Sequence, residues 1–271
     1  MSLPQVNTHL KNSSMDKLLI KKIQTQLSHY FSDVSQMTKA ETRCLKDMVL
    51  GILKSKSVFV NQIAASLREP LKLKALAKRL SAQYLKYDFA ENILESHLQS
   101  VGSSISKNDF ILMDGTDISK KHAKYMEGLE FVRNGDTGQT GLGYNVLNIN
   151  AINMHKETTP LYSKAYSYQM GALSSNSEVK KAVLAVRAHL DNKGCWVFDR
   201  GADNTILKDF FTQQCSQCLI RLKRNSKLNH KGEELKVSQI EQRIAYITSQ
   251  QVIKIKKEKP VVRTYELAAA K

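Results

Sequence analysis

No stretch of this sequence reaches the roughly 18–20 consecutive apolar residues that a membrane-spanning helix requires. The opening Met1-Ser2-Leu3-Pro4-Gln5 has neither the basic start nor the apolar segment of a secretory signal. Cysteine is scarce, four in 271 residues, which excludes a disulfide scaffold. No internal repeat or low-complexity tract stands out. These absences leave a globular chain with the cytoplasm as its expected compartment. Acids are also in short supply: 25 Asp and Glu face 41 Lys and Arg, a net charge of +16. Such an excess points to a polyanionic partner, nucleic acid first and an acidic membrane surface second. The plainer reading is that the basic residues only keep the protein soluble.

What is present changes character near residue 103. Residues 1–103 read as all-helical. Thr38-Lys39-Ala40-Glu41 has the form of a capping box, and Leu45, Met48, Val49 and Ile52 follow at helical spacing. A short helix is predicted over 58–67, with Pro70 as a break after it. The next helix carries the stripe Leu73, Leu76, Ala77, Leu80 and Tyr84, and its other faces carry Lys72, Lys74, Lys78, Arg79 and Lys86. Residues 89–98 close the set. Short helices with tight connections and one basic face fit a helix-turn-helix-like DNA-binding unit. They equally fit a small bundle whose lysines form a solvated face.

From residue 104 strands take over. Residues 109–117 are predicted as a strand, followed by Gly128, Gly135, Gly138, Gly141 and Gly143. This glycine-rich stretch lacks the terminal Gly-Lys-Ser/Thr of a phosphate loop and reads as a flexible hairpin. Tyr144, Val146, Ile149 and Ile152 mark a long strand, with Asn145, Asn148, Asn150 and Asn153 partly alternating. A third strand is expected over 158–168, the three forming antiparallel pairs. Ser175 with Glu178 suggests a second capping box, opening a helix with the stripe Val179, Ala182, Val183, Val186 and Leu190. A strand over 195–199, a helix over 203–214 and a strand over 219–223 complete a mixed α/β sheet. Residues 226–271 are polar and basic, with strand-like 252–255 and 261–265.

Two aspartates end short apolar runs. Phe110-Ile111-Leu112-Met113 leads into Asp114, and Cys195-Trp196-Val197-Phe198 leads into Asp199. A carboxylate directly after a buried strand is costly unless something pairs with it. If the two runs are neighbouring strands, the carboxylates emerge side by side and can share a divalent ion, the arrangement of metal-dependent phosphoryl transfer. Mg²⁺ and Mn²⁺ prefer such hard oxygen ligands. The alternative is that Asp-Gly-Thr and Asp-Arg-Gly are simply turn sequences.

Ile111-Leu112-Met113-Asp114-Gly115-Thr116-Asp117 and Val197-Phe198-Asp199-Arg200-Gly201-Ala202-Asp203 resemble the first two acidic motifs of the DDE transposases of bacterial insertion sequences. The order of elements resembles that family over about residues 35–265. The resemblance implies an α/β fold, with an N-terminal all-helical DNA-binding region (1–103) followed by an incomplete RNase H-like mixed β-sheet with flanking helices (104–225). Residues 226–271 would begin a β-rich insertion. It implies catalysis by Asp114 and Asp199, with Asp114 bridging two Mg²⁺ or Mn²⁺ ions and Asp199 binding one. Arg200 and Arg221 would contact phosphates near the cut, and Lys223, Arg224, Lys120 and Lys121 the DNA backbone. Asp117 would point away from Asp114 in an extended strand, and Asp203 would cap the following helix. The expected partner is double-stranded DNA rather than a membrane, with a homodimer in the nucleoid-associated cytoplasm.

The family's third acid, a Glu on a helix beyond the second Asp, has no counterpart among Glu233, Glu234, Glu258 and Glu266. The expectation is therefore a chain that ends inside the insertion and is inactive alone, or a non-catalytic DNA-binding remnant that inhibits transposition. A general RNase H-like nuclease is a further alternative. Cys215 and Cys218 have zinc-like spacing, but no second pair lies at zinc-finger distance, so a helix end and a strand start are expected. His122, His155 and His189 show no partner spacing.

Overall fold

The computed structural model describes residues 14–32, 34, 37–87, 89–120, 122–135, 137–215, 217–230, 232–242, 248–256 and 259–267. They divide into two compact units, one up to Ser100 and one from Val101.

The first unit consists of α1 (Ser14–Ser32), α2 (Lys39–Ser55), α3 (Val60–Leu67), α4 (Leu73–Lys86) and most of α5 (Ala90–Gly102). The α2 start is the expected capping box: the Thr38 hydroxyl accepts from the Glu41 N–H at 3.3 Å, and Glu41 Oε2 accepts from the Thr38 N–H at 2.6 Å. Ile63, Ala64, Leu76, Ala77 and Leu80 form one buried cluster, with Met48, Ile52, Val60 and Leu67 against it. Phe31, Val34 and Leu45 form a second. Arg79 does not join the basic face expected of α4. Its guanidinium forks onto Glu69 at 2.9 and 3.1 Å and reaches Asp47 at 2.8 Å, binding α2, α4 and the connection before α4 together.

The second unit is built on one mixed sheet. Its strands are β1 (Phe110–Ser119), β2 (Glu130–Arg133), β3 (Thr140–Ile152), β4 (Thr158–Tyr166), β5 (Cys195–Phe198) and β6 (Cys218–Ile220). β3 pairs antiparallel with β1 on one side, and with β2 and then β4 on the other. β5 lies parallel to β1, and β6 parallel to β5. Without the short β2, the order β4-β3-β1-β5-β6, three antiparallel strands followed by two parallel ones, is that of an RNase H-like sheet. Helices α6 (Ser175–Arg187) and α7 (Thr205–Gln214) flank it.

One sheet face carries the core. Ile111, Ile149, Ala151, Trp196 and Phe198 are buried there, as are Val179, Ala182, Val183 and Val186 of α6 and Leu207 and Phe211 of α7. The rings of Phe198 and Phe211 stack at 3.7 Å between centroids, fixing α7 on β5. Gly194, at φ +81°, turns the chain into β5 so tightly that a Cβ would lie 2.7 Å from Ile111 Cγ1.

Several local expectations shift. Ser174, not Ser175, opens α6: it exchanges hydrogen bonds with Ser177 at 3.1 and 3.2 Å, while Glu178 is buried and pairs with Lys181 at 2.6 Å. Asn204 rather than Asp203 caps α7, accepting from the Leu207 N–H at 3.0 Å. β6 ends at Ile220, short of the expected 223, because the Lys223 N–H leaves the ladder for the Asp203 carboxylate. The glycine-rich stretch holds an ordered strand, β2. Beyond the sheet come the hairpin β7 (Lys227–His230) and β8 (Glu233–Lys236), the short α8 (Val237–Glu241), and a second hairpin of β9 (Thr248–Lys256) and β10 (Lys259–Leu267). Among the described residues no helix is long and apolar enough to cross a membrane.

Candidate metal and phosphate site

The register of β1 against β5 pairs Phe110 with Cys195 and continues to Met113 with Phe198. Asp114 and Asp199 are the next residues of the two chains, Asp199 being the first residue after β5. Ile111 and Phe198 point into the core, so the pleat sends Asp114 and Asp199 to the opposite face, where both are exposed. The same row continues outward. Asn148 is the β3 partner of Asp114, and Ser163 the β4 partner of Asn148. On the other side the Arg221 N–H donates to the Phe198 carbonyl at 3.0 Å, extending the β5–β6 ladder and placing Arg221 next to Asp199. Ser163, Asn148, Asp114, Asp199 and Arg221 therefore cross the five strands as one polar line.

The two carboxylates are not satisfied like buried ones. Among the described residues none donates a hydrogen bond to Asp114. Asp199 Oδ1 accepts from the Gly201 N–H at 2.7 Å, which caps the single turn Arg200–Ala202. The Ser163 hydroxyl donates to Asn148 Oδ1 at 2.7 Å, fixing the amide beside Asp114. Mg²⁺ keeps several waters and is commonly held by one or two carboxylates plus substrate phosphate, so this pair fits a hard divalent ion. Among the described residues no group of three or more His, Cys, Asp and Glu converges to hold a metal.

The expected phosphate-binding residues scatter. Arg200 is exposed on the turn after Asp199, and Arg221 closes the polar line. Lys223 and Arg224 follow in the same segment, Arg224 paired at 3.3 Å with Glu241 of α8. Lys120 lies beyond the end of β1, its N–H on the Leu142 carbonyl at 2.7 Å, well away from the carboxylates. Lys121 lies outside the described residues, as does Glu258. Asp117 faces away from Asp114 and binds the β2–β3 turn through Asn134 and the Gly135 N–H.

Asp203 is the group the sequence reading placed wrongly. Its side chain has no exposed surface and is ion-paired with Lys208 at 2.9 Å. It also accepts from the Lys223 N–H and the Ser226 hydroxyl, each at 2.5 Å. Burial alone would raise its pKa, but these three donors outweigh that and hold the carboxyl below the ordinary range. Asp203 thus ties the turn after Asp199 to the segment bearing Arg221, Lys223 and Arg224. Cys215 closes α7 and Cys218 opens β6; burial pushes the Cys215 thiol up to about 12 and raises Cys195 and Cys218 as well. Asn148 and Ser163 were missed as members of the line, although the polar alternation along β3 carried the signal.

No protein-family model matches this chain, and comparison with curated proteins finds no match. Among solved structures the chain is similar to a "Mos1 transposase paired-end complex with left transposon end", at 11% identity and a TM-score of 0.26, over 68% of this chain. The chain spans 60% of the length of that structure. A likeness this faint carries no weight for the site, and the strand order alone carries the fold.

Proposed function

We propose that the protein binds DNA and serves divalent-metal-dependent phosphoryl transfer of the DDE transposase type. The observation that supports this is the parallel pairing of β1 with β5 up to Met113 and Phe198, after which Asp114 and Asp199 follow exposed on one face, with no ion pair to either carboxylate among the described residues. Ligands bind at the carboxyl ends of strands in open α/β sheets; Asp199 follows the carboxyl end of β5, and Asp114 lies in β1 one residue past the end of its pairing with β5. Asp114 and Asp199 would hold Mg²⁺ or Mn²⁺, which when bound activates water and offsets charge on the phosphoryl oxygens. Arg200 and Arg221 flank the pair as phosphate contacts, with Lys223, Arg224, Lys120 and Lys121 following the backbone. Strand cleavage by water and strand transfer by the freed 3′ hydroxyl are both in-line displacements at phosphorus. They need positioned charge and no covalent enzyme intermediate. A homodimer at element ends in a bacterial nucleoid suits this reading.

A second reading is a non-catalytic DNA-binding protein that occupies element ends; the lack of a third converging acid among the described residues favours it. Mg²⁺-dependent nicking of supercoiled plasmid, lost in Asp114→Ala and Asp199→Ala while DNA binding survives, is the outcome the catalytic reading requires. DNA binding with no nicking in Mg²⁺ or Mn²⁺ supports the non-catalytic one.

A further inference from the structure

The sheet face that carries Asp114 continues along β3 into an arm. Partners directly opposite in an antiparallel pair point to the same side, so Leu142, on the Asn148 side of β3, brings Phe131 of β2 with it. Phe131 is 78% exposed. It is held outward by its neighbours: Val132 is buried, and Glu130 is pinned inward by the Asn145 amide at 2.7 Å and the Tyr168 N–H at 2.8 Å. A one-residue slip that hid the ring would expose all three of those interactions. Arg133, two residues on, is exposed on the same face, and the Lys120 N–H donates to the carbonyl of Leu142 in the same arm. The nearby Asp117 is turned to the other face and engaged there. From Asn148 to Leu142 the strand advances six residues, roughly 20 Å at about 3.4 Å per residue, or about three nucleotides of extended single strand.

We propose that this arm binds DNA by stacking Phe131 on an unpaired base, with Arg133 and Lys120 meeting the adjoining phosphates. A rigid exposed aromatic beside cations is the pattern of single-strand binding surfaces. The arm rests on the reading that the partner is DNA and extends it: the DNA bound here carries an unpaired stretch some three nucleotides from the Asp114–Asp199 pair. The full chain is titrated, by fluorescence anisotropy, with a labelled duplex bearing a four-nucleotide single-stranded end and with the same duplex blunt. The wild type binds the frayed duplex roughly tenfold more tightly. Phe131→Ala and Phe131→Leu lose that preference and bind blunt DNA as before, while Phe131→Trp keeps it. A 2-aminopurine in the unpaired stretch is quenched by the wild type and not by Phe131→Ala. Wild-type preference in Phe131→Ala overturns the arm alone, as does a change of oligomeric state on size exclusion with the preference intact, since the ring then serves a second copy. Absence of binding to either duplex overturns the arm together with the DNA reading.

Discussion

At the scale of single residues, Asp199 and Asp203 are four positions apart and do opposite work. Asp199 keeps its second oxygen open at the surface. Asp203 is wholly enclosed, where a carboxylate persists only with several donors around it. Replacing Asp203 by Ala leaves the Lys223 N–H, the Ser226 hydroxyl and the Lys208 ammonium without their acceptor, a loss of about 3 kcal/mol. Because its folded pKa is depressed, the stability it contributes is present above the ordinary carboxyl value of about 4 and disappears as pH falls through the lower folded value. Urea denaturation should therefore show a gap between wild type and Asp203→Ala that is full at pH 7 and narrows toward pH 3. A gap that does not change with pH would mean the carboxylate charge is not what holds this loop.

At the scale of elements, the close approach of α2 and α3 depends on Gly51. A Cβ there would lie 2.4 Å from Ile63 Cγ2 in the buried cluster. Ala in mid-helix gains up to about 1 kcal/mol over Gly, yet forcing the helices apart costs about 1–3 kcal/mol, so Gly51→Ala should lower the thermal midpoint. In an Ile63→Ala background the 2.4 Å contact is removed, while the Cβ and carbonyl oxygen of residue 63 stay at 3.3 Å, so the same change should cost clearly less. An equal cost in both backgrounds would refute the steric account. Elements of this kind were legible in the sequence where their signals are local. Thr38 with Glu41, the α6 stripe and the apolar runs before Asp114 and Asp199 all depend on residues within a turn or two. What stayed hidden is non-local. Arg79 reads as one more surface cation until Asp47 and Glu69 fold around it, and Asp203 reads as a helix cap until Lys223 and Ser226 arrive from the connection between β6 and β7. β2 looked like a flexible hairpin because its anchor, Glu130, binds Asn145 and Tyr168 far along the chain. The juxtaposition of Asp114 and Asp199 was inferred from two apolar runs, but the line through Asn148 and Ser163 needed the register.

At the scale of the whole molecule, a chain of net charge +16 places two carboxylates, neither in an ion pair among the described residues, in the face proposed to meet DNA. The surrounding cations attract phosphate, and the affinity should fall steeply with salt as counterions are released. The two carboxylates work against this, since a phosphate brought up to them faces like charge at close range. A divalent ion reverses the sign of that local term. In EDTA, then, Asp114→Asn/Asp199→Asn should bind DNA several-fold more tightly than the wild type at the same salt, because the repulsion is removed and the cations remain. Adding Mg²⁺ should tighten the wild type and leave the double variant nearly unchanged. Anisotropy titrations at fixed ionic strength, with Na⁺ lowered to match the added Mg²⁺, separate this from general screening. If the double variant binds no more tightly in EDTA, or gains from Mg²⁺ as the wild type does, DNA does not approach the sheet at these carboxylates and the positive charge serves another surface.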